Sequence, residues 1–309
     1  MQETTRKKEA YGFWRRRFER PERRKVHRQI KDRLFRFLFE KDKEALLQLY
    51  NALNGTAYQD ASKLKIVTIE NAVYVVMKND LAFIMAGTLN LYEHQSTYNP
   101  NMPVRFLVYL AEEYQRLVEQ AETSIYGTKR VVLPTPQCVV FYNGEKEMPD
   151  EHILSLSDAF ENKKSRLDLD LKVRMLNINY GNNLDLMEKC RILREYAEFV
   201  ECAKKSISTE RNRQEALNIA IDYCINHGIL SEFLKKYRAE VLGMLLEEFD
   251  VDKYERTLKR EGREEGIEVG IERITLLTEK LLEQERLDDL KRMTKEPKYR
   301  ERLFQEFGM

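Results

Sequence analysis

The chain has 309 residues, 42% of them hydrophobic, enough for one large domain or two ordinary ones with real cores. Charged residues reach 34%, above the roughly 25% of a typical soluble domain, so exposed helices or tails are expected outside the compact part. No run approaches the roughly 18 apolar residues of a membrane-crossing helix; no apolar segment suits a secretory signal, and a soluble cytoplasmic protein is expected.

The net charge of +1 hides an uneven distribution. The first thirty-odd residues are basic, with Arg15, Arg16 and Arg17 at their centre and Tyr11, Phe13 and Trp14 interleaved. Such an arm fits a nucleic-acid contact, through Arg15, Arg16 and Arg17 above all, and fits a solvated terminus equally well. Cys138, Cys190, Cys202 and Cys224 form no C-x-x-C pair, which argues against a zinc site or a disulfide framework and for small core residues.

Beyond the arm, Leu34, Phe35, Leu38, Phe39, Leu46, Leu47, Tyr50 and Leu53 recur at helical spacing. A polar break at Glu40 to Lys43 divides them, and Asn54-Gly55 is a stop signal. Leu64 to Ile69 and Val73 to Met77 are rich in β-branched residues and read as strands, as do Leu81 to Met85 and Leu89 to Gln95, with Ala86-Gly87 between the last two as a hairpin turn. Pro103 suits the first turn of a helix that carries Val104, Leu107, Val108, Ala111, Tyr114 and Val118. Cys138 to Tyr142 reads as a buried strand ending at Asn143-Gly144. Leu167 to Ile178 reads as another, Asp168 and Asp170 alternating with Leu167, Leu169 and Leu171.

From Asn183 onward helices are expected at Leu184 to Lys204, Arg211 to Asn226 and Ile229 to Phe249, with His227-Gly228 as a C-cap. After Asp250 charges of both signs take over. Gly262, Gly266 and Gly270 share one helix face there, which suits either a self-associating soluble helix, hence a homodimer through the tail, or a marginal charged helix. Leu276, Leu277, Leu281 and Leu282 add a short apolar seam. The order helix, strands, helix, strand and then helices predicts an α/β core followed by a helical region.

Carboxylates are disfavoured in strands, so Asp80 and Glu93 need an explanation. With a two-residue turn at Ala86-Gly87, Met85 faces Thr88, and counting outward sets Asp80 opposite Glu93, with Cβ atoms about 5 Å apart. A divalent metal with oxygen ligands accommodates two carboxylates at that distance. The period of two puts Gln95 on the same face and the His94 side chain on the other, leaving the His94 carbonyl as a further metal ligand. A structural ion-pair network with Lys78 or Arg105 is the alternative use of these acids. Arg105 and Tyr109 share a helix face; Arg105 can grip a phosphate or pair with Glu112 or a backbone carbonyl. A G-x-S-x-G elbow and a phosphate-cradling glycine loop are both absent from the sequence, and the four histidines lie far apart.

Asp80 with Glu93-x-Gln95 resembles the motif of the PD-(D/E)XK nuclease superfamily. Met77 to Asp80, Leu91 to Pro103, Leu133 to Pro136, Val140 to Gly144 and Leu156 to Phe160 are similar to the recombination-promoting nuclease family within it, which also carries a transposase label. The charged glycine-repeating segment and the helical run before it are similar too, so that the likeness runs from about Asp32 to the end.

The resemblance implies a restriction-endonuclease-like αβββαβ core at 31–182, after the basic arm at 1–30, then a helical region at 183–250 and a charged glycine-repeat tail at 251–309. It implies a DNA endonuclease using Mg2+ (or Mn2+), linked to recombination or mobile elements, with Asp80 and Glu93 holding the metal. Most of the superfamily has lysine where Gln95 stands; glutamine is usual in this family, and it can orient water and bond phosphate without adding charge. Asn79 replaces the motif's proline. Asp32 stands where the superfamily often has an acid facing the metal, and an N-terminal helix acid is its structural alternative. A catalytically weak DNA-binding relative and a non-enzymatic oligomerising protein are the competing functions.

Overall fold

A computed structural model describes residues 33–67, 81–121, 124–162, 167–210 and 212–308. The expected strand at Val73 to Met77 lies outside them, as do Asp32, Asp80 and the basic arm with Arg15, Arg16 and Arg17.

Two short helices lead, α1 (Arg33–Lys41) and α2 (Lys43–Asn54), parted at Asp42. The Asp42 carboxylate accepts from the Ala45 amide, an N-cap that restarts the helix, and Gly55 closes it in the left-handed conformation. Strands β1 (Lys65–Ile66), β2 (Leu81–Met85) and β3 (Thr88–Gln95) then run antiparallel. Helix α3 (Met102–Gln120) carries the chain across to β4 (Thr135–Tyr142), parallel to β3. Strands β5 (Glu151–Ser155) and β6 (Lys172–Asn177) complete a mixed six-stranded sheet in the order β1-β2-β3-β4-β6-β5. Pro136 is tolerated in β4 because β6 pairs with β4 only from Val139 onward.

The β2–β3 turn fixes the register that matters. Ala86 and Gly87 both have positive φ, 49° and 77°, and Met85 faces Thr88. Two left-handed residues give a turn whose twist matches the strands. Alanine is a poor occupant of that conformation. Ala86→Asn is therefore expected to raise stability by about 0.5–1 kcal/mol, read as a higher urea midpoint with an unchanged slope.

Each face of the sheet has its own core. On one, Met102, Phe106, Tyr109 and Leu110 of α3 pack on Leu89, Leu91, Val140, Tyr142 and Met175. On the other, Phe35 of α1 lies 5.1 Å from the His94 ring and 4.9 Å from the Phe141 ring, with Tyr196 edge-on to it. Cys138, Cys190 and Cys224 are buried, and Cys202 is partly exposed. Burial pushes the Cys138 thiol up to about 12 and the Cys190 thiol up to about 11, as unreactive core thiols should be.

Some expectations need correction, and one strand was missed. The strand predicted from Leu167 begins only at Lys172; Leu167 and Leu169 are 37% and 52% exposed, and Asp170 instead accepts from the Ser157 amide in a turn. Strand β5 was not predicted: it is an edge strand with one buried residue, Leu154, so its sequence lacks a core pattern. The helix expected from Ile229 to Phe249 is broken at Tyr237 into α7 (Ser231–Lys236) and α8 (Arg238–Glu283).

Before that break, the helix expected from Leu184 to Lys204 is divided at Cys190 into α4 (Leu184–Lys189) and α5 (Arg191–Thr209), and α6 (Arg213–Asn226) follows. The chain forms two compact units, one ending at Glu248 and the other spanning Phe249–Met309. In the second, Leu277 and Leu281 of α8 are fully buried against Met293 of α9 (Leu287–Lys295) and Leu303 and Phe304 of α10 (Pro297–Glu306). Leu276 and Leu282 are exposed, so half of the predicted seam is core. A Cβ added at Gly262, Gly266 or Gly270 would meet nothing within 4 Å. None of the described residues forms a helix long and apolar enough to cross a membrane.

Candidate active site

Glu93 is carried near the end of β3, where the strand's period of two turns it and Gln95 toward α3. The residue is 1% exposed. An ionised group so far from water requires compensating charge, and α3 supplies it: Arg105 Nη2 donates to Glu93 Oε1 at 3.2 Å and Oε2 at 3.1 Å. Gln95 Nε2 donates to the same Oε2 at 3.3 Å.

The guanidinium is itself held in place. Its Nη2 and Nε donate to the Tyr109 hydroxyl at 2.8 and 3.2 Å, and Nη1 reaches Met102 Sδ at 3.4 Å. Tyr109 is fully buried, and burial followed by the negative charge of Glu93 holds its hydroxyl far above the usual phenol range. It remains a neutral acceptor for Arg105 at any working pH. The four side chains therefore form one hydrogen-bonded cluster built from two consecutive elements, β3 and α3.

His94 points the other way, as the alternation requires. Its ring stacks on Phe35, and its Nε2 sits 3.1 Å from the Tyr196 hydroxyl. It is a core histidine, and its backbone pairs level with Phe141 of β4. Among the described residues no three His, Cys, Asp or Glu side chains group as a metal site.

The cluster lies where β3, β4 and β6 all run in one direction and end together, at Gln95, Tyr142 and Asn177. Ligands of open α/β sheets sit outside such carboxyl ends. The ends are tied to one another: the Asn143 amide donates to the Gln95 carbonyl at 3.1 Å, Ile178 N donates to the Tyr142 carbonyl at 2.8 Å, and Asn179 Nδ2 donates to the Gly144 carbonyl at 3.1 Å. Lys204 Nζ of α5 donates to the Asn143 carbonyl at 3.4 Å. No protein-family model, curated protein or solved structure matches the chain.

Gly144 is packed so closely that a methyl group would run into the Ser96 carbonyl oxygen and the Tyr142 ring. Gly144→Ala is expected to lower stability by about 2 kcal/mol, since the obstacle is backbone that has to move. Chemical denaturation checks it, and any activity should fall with it because Ser96 follows Gln95.

Two features escaped the sequence reading. Tyr109 was placed beside Arg105 but given no role, although its spacing of four from Arg105 was the available signal. Glu113 is buried with Arg116, whose Nη2 donates to it at 2.6 Å; burial raises its carboxyl, and the Arg116 hydrogen bond opposes the rise. An acid in the apolar register of α3 is the only sequence trace of that pair.

Proposed function

We propose that the chain is a magnesium-dependent DNA endonuclease of the restriction-endonuclease-like type, related to the recombination-promoting nucleases it resembles and linked to recombination or mobile elements. The observation that carries this reading is the buried Glu93 beside Gln95 at the carboxyl end of β3, in a hairpin whose described register is the one from which Asp80 is counted. A buried charged cluster at a sheet end is expensive to maintain for stability alone, because a well-packed apolar replacement is commonly as stable.

The donors fit the metal in kind. Glu93 and Gln95 offer hard oxygens, suited to Mg2+ or Mn2+ and unsuited to softer ions. Glu93, with Asp80 and the His94 carbonyl, would hold it. When bound, such an ion polarises the scissile phosphate and acidifies a water. Gln95 would orient that water or bond a phosphate oxygen, and Arg105 with the arm residues Arg15, Arg16 and Arg17 would supply the positive charge that binds the DNA backbone. Asp32 is a further candidate acid at the site.

The test is cleavage of supercoiled plasmid, with and without magnesium, by the wild type and by Asp80→Ala and Glu93→Ala proteins. Magnesium-dependent cutting that both substitutions abolish is the expected result. One observation favours a second reading, a DNA-binding relative that does not cut: Gln95 adds no positive charge at the position where most of the superfamily has lysine. A folded wild type that cuts nothing in magnesium or manganese, yet binds DNA with steep salt dependence, would select it.

A further inference from the structure

The Glu93 oxygens that a cation needs are both engaged by one nitrogen of Arg105. We infer that Arg105 is an internal counter-cation that competes with a divalent ion for Glu93, and that cation binding releases its guanidinium to a DNA phosphate. The inference rests on the nuclease reading for its ligands, and it adds a coupling between cation and DNA that the reading does not contain.

Three features support it. Arg105 is 25% exposed at the side chain whereas Glu93 is 2% exposed, so the arginine sits on the solvent side of the pair and can leave without crossing the core. Its contacts with Tyr109 and Met102 are to a neutral hydroxyl and a thioether, neither of which needs its charge. Because Nη2 serves both Glu93 and the Tyr109 hydroxyl, release of the guanidinium breaks these bonds together while the side-chain stem stays anchored on α3. A planar fork then meets a phosphate with two parallel donors, the arrangement at which arginine excels. Because each ligand favours the same released position, calcium and DNA should each tighten the binding of the other by the same factor.

Calcium serves as the cation probe and a short fluorescent DNA duplex as the anion, at pH 8 and constant ionic strength, with cleavage monitored alongside. Calcium binding is followed by calorimetry without DNA, and DNA binding by anisotropy with and without calcium. Arg105→Gln should bind calcium about tenfold more tightly than the wild type, since a competing charged hydrogen bond is gone. It should also lose the wild type's calcium-induced gain in DNA affinity, expected to be about fivefold or more. Arg105→Lys, which keeps the charge without the fork, should bind calcium close to the wild type while losing most of the gain. Tyr109→Phe provides an independent route if Arg105→Gln fails to fold: loosening the arginine should tighten calcium binding and leave the gain in place.

Unchanged or weaker calcium binding in Arg105→Gln and Tyr109→Phe overturns the inference, and so does a calcium-induced gain that survives in Arg105→Gln. Plasmid cleavage separates this from the underlying reading. A wild type that cuts DNA while the calcium affinities stay equal keeps the nuclease and discards the competition. A wild type that never cuts, with the tenfold difference present, does the reverse.

Discussion

On the proposed nuclease reading Glu93→Ala is expected to abolish magnesium-dependent DNA cleavage, and it is expected to lower the unfolding free energy by about 2–3 kcal/mol. Removing one member of a buried ion pair costs roughly 3–5 kcal/mol. The expected loss falls to or below the lower end of that range because the Arg105 side chain is 25% exposed and water recovers part of its solvation. Glu93→Gln divides the two effects. The amide keeps the volume and can still accept from Arg105 Nη2, so the stability loss should shrink to about 1 kcal/mol. It carries no charge to balance a divalent ion, so cleavage should stay lost. Urea unfolding of the three proteins, run beside the plasmid assay, reads both. A Glu93→Gln protein that cuts as the wild type does would remove Glu93 from the metal-binding role.

Phe35→Ala should have the largest purely structural effect, a loss of about 3–5 kcal/mol. The ring is fully buried and touches four others: Phe39 at 4.8 Å, Phe141 at 4.9 Å, His94 at 5.1 Å and Tyr196 at 5.5 Å between centroids. No neighbour can collapse into the vacated space without disturbing the sheet, since two of the four belong to β3 and β4. Differential scanning calorimetry should show a lowered transition temperature. A Phe35→Leu protein should recover most of the loss; equal losses for both would mean that ring geometry, more than volume, holds α1 to the sheet.

The hairpin was legible because turn and strands signal the same register: Ala86-Gly87 fixes the pairing, and Met85 opposite Thr88 follows. The α1–α2 division was legible at Asp42, whose capping side chain is a local feature. Strand β5 was not, because an edge strand with one buried side chain satisfies its backbone through β6 without an apolar face of its own. Leu167 and Leu169 misled for the opposite reason: apolar alternation without a sheet neighbour is only composition. The start of α7 follows a left-handed Leu230, a conformation that leucine does not advertise. At the candidate site, spacing placed Glu93 and Gln95 on one face, but the choice of Arg105 partner depends on how α3 lies against β3, which no local pattern encodes. The sequence left the strand carboxylates, Glu112, a backbone carbonyl and a phosphate all open as partners, and the pair formed is the one with Glu93.

The parallel pairing of β3 with β4 has a consequence for the order of assembly. The β2–β3 hairpin closes over two residues, and Glu93 and Arg105 are separated by only 12 positions, so both can meet while the chain is still mostly open. Strand β4 reaches β3 only after the whole α3 crossover has been traversed, and entropy makes such a distant closure the slower event. The ion pair therefore precedes the wall that seals it from water. On this order the carboxylate is expected to meet its arginine before it is desolvated, so that a lone charge need not be buried on the way to the native state.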